Sequence, residues 1–80
     1  MPVLLTDDQI AATRAQIVDI AMRHAVEKGA DGVSMHGVAR ELGRTATALY
    51  RYFDSKDALL TAARVAALNR VAEGFYQHWL

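Results

Sequence analysis

Residues Ser34 to Phe53 read SMHGVARELGRTATALYRYF, and this stretch decides the fold. Ser34 is an N-cap residue, because its side chain can accept a hydrogen bond from one of the unpaired N–H groups that open a helix. Met35 to Leu42 then forms a short helix with Val38, Ala39 and Leu42 as its buried stripe. Gly43 ends it, at a turn where positive φ is easiest for glycine. Thr45 is a second N-cap residue, and Ala46 to Tyr52 forms a second short helix. Two helices of about two turns each are not stable alone in water. They need another helix behind them, and the rest of the chain supplies two.

Upstream, Thr6-Asp7-Asp8-Gln9 is a capping box, a Thr N-cap with Gln three residues on. Its two Asp residues sit where the helix dipole favours negative charge. Ile10, Ile17, Ala21 and Ala25 recur at helical spacing, with Ile20 beside them. Lys28 closes the last turn, Gly29 is a C′ residue, and Ala30 to Val33 is a turn. Downstream, Ser55 caps a fourth helix with Asp57 in its first turn. Leu60, Ala63, Ala67, Val71 and Phe75 run down one face of it. No segment alternates with period two, so no sheet is expected. The fold class is all-α: a three-helix, homeodomain-like helix-turn-helix unit plus a fourth connecting helix.

Composition sets outer limits. The chain has 80 residues, 52% of them hydrophobic, which excludes disorder. It has no cysteine, so disulfides, thiol catalysis and Cys-ligated zinc are excluded. No apolar run approaches the ~18 residues of a membrane span, and the start lacks the basic n-region of a signal peptide. Nine Lys+Arg balance nine Asp+Glu. That neutrality counts against a nucleic-acid binder until the charges are placed. Asp7, Asp8 and Asp57 sit at helix starts, where capping explains them, whereas Arg44 and Arg51 fall on one face and Lys56 borders it.

The short helix pair meets the steric demands of a helix-turn-helix, whose second helix lies in the DNA major groove. Ala39 sits where the helices approach closely, and Gly43 sits at the turn four residues later. Val38, Leu42, Leu49 and Tyr52 supply the shared core. Arg44 departs from the pattern: the residue after the turn glycine is ordinarily apolar, and an arginine there must point outward. The outward set of the second helix is Arg44, Thr45, Ala46, Thr47, Tyr50 and Arg51. Arg can bind guanine, Thr a base or a phosphate, and Ala and the Thr methyl can touch a thymine methyl. Tyr hydroxyls and helix N-termini commonly hold phosphates.

From Ile17 to Leu60 the chain resembles the DNA-binding domain of the tetracycline-repressor (TetR) family of bacterial transcriptional regulators. The matching features are Ile17 with Ala21, Gly29, Val33-Ser34-Met35, Val38-Ala39, Leu42-Gly43, and Leu49-Tyr50-x-Tyr52-Phe53-x-Ser55-Lys56-x-x-Leu59-Leu60. The last segment is the most specific. The resemblance implies a DNA-binding domain over 6–60, with its helix-turn-helix at about 34–53. It also implies that 61–80 is a connecting helix into a C-terminal domain, outside these residues, that dimerises the protein and binds a small-molecule inducer. By position, Thr45, Ala46, Thr47 and Arg51 would face bases. Tyr50 and Lys56 would hold phosphates, with Ser34 and Thr45 doing so through hydroxyl or backbone groups. His36 falls where some members place a base-reading arginine. Arg44 replaces the usual Val, and the reading here is that it adds a DNA contact. The implied protein is a homodimeric repressor in the bacterial cytoplasm, associated with the nucleoid. It binds a pseudo-palindromic operator in double-stranded DNA and is released by inducer, with no cofactor, metal or membrane partner.

Each residue also has a plainer reading. Tyr52 and Phe53 are core. Tyr50 is either packing or a phosphate contact, Lys56 and His36 each read alternatively as a solvated surface group, and Arg40 is exposed or paired with an acid. His24 and His78 have no second ligand at metal spacing and read as structural or surface residues. Asp7, Asp8, Asp54 and Asp57 all belong to helix starts, and no Gly-rich phosphate loop or Ser-His-Asp set exists, so the chain is not read as an enzyme. The alternative function is a small helical protein-interaction module, which the net neutrality favours.

Overall fold

The computed structural model describes the backbone of residues 6–79 and the side chains of residues 6–72. Among the described residues four α-helices follow one another, α1 (Asp7–Lys28), α2 (Met35–Leu42), α3 (Ala46–Leu49) and α4 (Lys56–Trp79), with a 3-10 turn, Ala30–Gly32, between α1 and α2. The described residues contain no strand. None of their helices is long and apolar enough to cross a membrane. Phe75 and His78 lie outside the described side chains.

α1 opens on the expected capping box. The Gln9 N–H donates to Thr6 Oγ1 at 3.1 Å, and the Thr6 N–H donates to Gln9 Oε1 at 2.9 Å. Gly29 closes the helix at φ 80°, ψ 164°, a region that essentially only glycine enters. α1 is the helix on which the others assemble, packing against α4, α2 and the 3-10 turn, while α2 packs against α3. Ile17, Ala21, Val33, Val38, Ala39, Leu49, Phe53, Leu59 and Ala63 are among the buried core residues, one or more from every helix plus the loops between.

One expectation is corrected. The second short helix does not run to Tyr52: α3 ends at Leu49. The Arg51 and Tyr52 N–H groups donate to Ala48 O and Leu49 O, so the helical register tightens into three-residue turns. That tightening swings Phe53 into the core, where it is 4% exposed. Tyr52 itself is only half-buried. Ile10, at the head of the α1 stripe, is 37% exposed. The apolar face of α4 is covered only near its start: Leu59 and Ala63 are buried and Leu60 is half-buried, but Ala67 is exposed and Val71 is 70% exposed. A helix of 24 residues is about 36 Å long at 1.5 Å per residue. It outruns the small unit that its first turns pack against.

Candidate nucleic-acid interface

The turn between α2 and α3 fixes the geometry of the helix pair. Gly43 lies in the left-handed region at φ 80°, ψ 27°. Its N–H donates to Arg40 O at 3.1 Å, and the Arg44 N–H donates to Ala39 O at 2.9 Å. These two bonds make a Schellman motif, which satisfies the last carbonyls of α2 and reverses the chain. Thr45 then caps α3, its Oγ1 accepting the Ala48 N–H at 3.1 Å. Ser34 caps α2 in the same way, Oγ accepting the Gly37 N–H at 2.9 Å. Both short helices therefore start on a hydroxyl cap, and only Leu49 of the four α3 residues is fully buried.

His36, Arg40, Arg44, Thr45, Ala46 and Thr47 line one shallow groove of about 470 Å³ together with Ala39. It runs between the start of α2 and the start of α3. His36 and Arg40 share a face of α2 because they are four residues apart. Arg51 lies elsewhere. It lines a second cleft of about 300 Å³ between α1 and α3, with Ile10, Arg14, Arg44, Ala48 and Tyr52. Arg44 belongs to both. Ser34, Tyr50 and Lys56 line neither of these two. Tyr50 is 47% exposed, so its aromatic ring is not core packing. Lys56 is half-buried, and its Nζ donates to Asp31 O at 3.4 Å, tying the start of α4 to the 3-10 turn.

Two supports beneath this surface come from α1. The Arg14 guanidinium donates to the Tyr52 carbonyl at 2.6 Å, and its central carbon stands 4.4 Å from the Phe53 ring centroid. It fastens the tight turn after α3 to α1. At the other end of α1, His24 Nε2 shares a hydrogen bond of 3.0 Å with Glu41 Oε1, and Arg23 pairs with Glu41 Oε2. His24 is 7% exposed and is thus structural. The hydrogen bond from His24, with the bond and charge of Arg23, holds the Glu41 carboxyl below its ordinary range, against a partial desolvation acting the other way. Because Glu41 is taken up in this node, Arg40 beside it is left exposed at the groove. Its spacing from His36 was the available signal for that placement. Arg14 carried no comparable signal, since its partner is 38 residues away.

The family profile of the bacterial regulatory proteins, tetR family, matches residues 17–63, which contain α2, the turn and α3 entire. The chain belongs to the TetR family. Its members are DNA-binding transcription regulators and not enzymes, which agrees with the helix-turn-helix built here. The TetR chain is also 41% identical over 59 residues to the HTH-type transcriptional regulators Rv1816 of Mycobacterium tuberculosis and Mb1846 of Mycobacterium bovis. The match covers 74% of this chain and 25% of each relative, so the chain spans about a quarter of the length of the curated relatives it matches. No solved structure matches it significantly. Among the described residues no group of His, Asp and Glu could hold a metal ion.

Proposed function

We propose that this chain presents α3 to the major groove of a DNA half-site, as the reading element of a homodimeric repressor that a small-molecule inducer releases. The observation that carries the reading is the exposed rim of α3. Arg44, Thr45 and Thr47 stand in one groove with His36 and Arg40, at the capped N-terminus of a helix whose inner side is anchored by Leu49. Thr47 and Ala46 contact base edges and the thymine methyl, and Thr45 and Ser34 approach phosphates at their helix N-termini. Tyr50 and Lys56 add phosphate contacts from the flank. His36 and Arg40 extend the contact along α2.

One chain has one such helix, so a pseudo-palindromic operator is read by two copies joined two-fold. Residues beyond position 80 carry that joint and the inducer site in this reading, and the greater length of the relatives supports it. Inducer acts through α4 by changing the spacing or tilt of the two reading helices. The test is selection of bound sites from random duplex DNA by the full-length protein. The expected product is two inverted half-sites about one helical turn or a multiple apart. Absence of binding to any duplex at low salt refutes the proposal and favours the protein-interaction module.

A further inference from the structure

We propose that the cleft between α1 and α3 is a phosphodiester site, in which Arg14, Arg44 and Arg51 grip the DNA backbone beside the half-site. The proposal rests on the DNA-binding reading above and adds to it a site beside the groove in front of α3.

In a Schellman motif the residue after the turn glycine usually folds back on the last turn of its helix as an apolar contact. Here that residue is Arg44, whose charged head stays in water. Arg44 instead lines the cleft between α1 and α3, where the 37% exposure of Ile10 and the half-burial of Tyr52 also occur.

The lining is three arginines with Ile10, Ala48 and Tyr52, and no acid. Among the described residues none of the three arginines is in an ion pair, whereas Arg23 and Arg70 are paired with Glu41 and Asp19. Three guanidinium groups around one cleft repel one another until an anion enters. Arg14 is already fixed by the Tyr52 carbonyl and the Phe53 ring, and that hydrogen bond uses one of its five N–H donors. Planar guanidinium donors match phosphate oxygens, and Ile10 with Ala48 offers an apolar floor for the attached sugar. Arg44 also lines the groove in front of α3, so the cleft continues the DNA-reading surface without a break. That continuity selects duplex DNA over a free anion as the occupant.

The test uses the full chain, with binding to mixed-sequence and selected-site duplexes measured by fluorescence anisotropy across a salt series. Arg44→Gln/Arg51→Gln leaves Arg14 and its structural bond in place. Arg44→Val restores an apolar residue and keeps the variant folded. Loss of one phosphate contact lowers the salt slope by about 0.9, so between about 50 and 200 mM salt each variant loses roughly 3.5-fold less affinity per half-site than the wild type. The loss of affinity at low salt is equal on both duplexes. Arg64→Gln, an exposed charge on α4, keeps the wild-type slope. Unchanged slopes in both cleft variants overturn the phosphodiester site while DNA binding stands. So does a loss confined to the selected site, which makes the arginines base readers. Calorimetric binding of inorganic phosphate that the variants abolish, with no change in slope, assigns the cleft to a free anion and overturns it as well. A wild type that binds no duplex refutes both proposals.

Discussion

Leu49→Ala should separate the side chain that holds α3 from those that merely flank it. Leu49 is fully buried, and it is the one buried residue of α3. The substitution deletes about three carbons, worth roughly 2.4 kcal/mol at ~0.8 kcal/mol each. The cavity left behind raises the cost, and buried Leu→Ala changes fall at about 2–5 kcal/mol. At roughly 0.05–0.15 kcal/mol per residue, a domain of this size has about 4–12 kcal/mol in total. The loss is therefore about a sixth of the stability at the least, and with ~4–8 °C per kcal/mol the melting temperature falls by about 8 °C or more. Urea unfolding followed by circular dichroism at constant slope measures it. Leu42→Ala is the comparison, because Leu42 is half-buried on the neighbouring helix and should cost about half as much. A Leu49→Ala cost no larger than that of Leu42→Ala would refute the claim that α3 is positioned by this one contact.

Other expectations concern the turn, the α1–α2 node and the reading face. Gly43→Ala, at φ 80° with nothing within 4 Å of the added carbon, should cost about 1–2 kcal/mol from backbone strain alone, read by thermal melting. Glu41→Gln should flatten the acid limb of the stability profile. The wild-type carboxyl titrates below its ordinary value of 4.5, so it stabilises the fold above that value and the contribution is lost as pH falls through the lowered one. Urea unfolding of both proteins at a series of acidic pH values reads the difference. Thr47→Ala should cost about 1–3 kcal/mol on the selected site and little on mixed sequence. Lys56→Ala should weaken all duplexes alike and lower the salt slope by about one.

Local chemistry made much of this fold legible. The four hydroxyl caps at Thr6, Ser34, Thr45 and Ser55 and the turn at Gly43 each rest on residues within a few positions of each other, and all form as read. Where α3 ends was not legible, because the tight turn after Leu49 is fastened by Arg14 from another helix. Periodicity located the apolar stripes of α1 and α4 but carried no information about what covers them, and Ile10 and Val71 on those stripes are exposed. On the surface, the outward residues of α3 were readable from their order. Their division into two clefts was not, since it depends on Ile10 and Arg14 arriving from α1.

The brevity of α3 has a consequence for how such a regulator changes its target. Of the positions from Arg44 to Leu49, only the last is sealed in the interior. The cap at Thr45 needs no more than a short polar side chain, which Ser, Asn or Asp supplies equally well. Substitutions at the exposed positions 44 and 47 therefore draw little on the stability of the domain. If α3 reads DNA as proposed, its address is written on positions the fold leaves open, and a new address evolves without a compensating change in the interior.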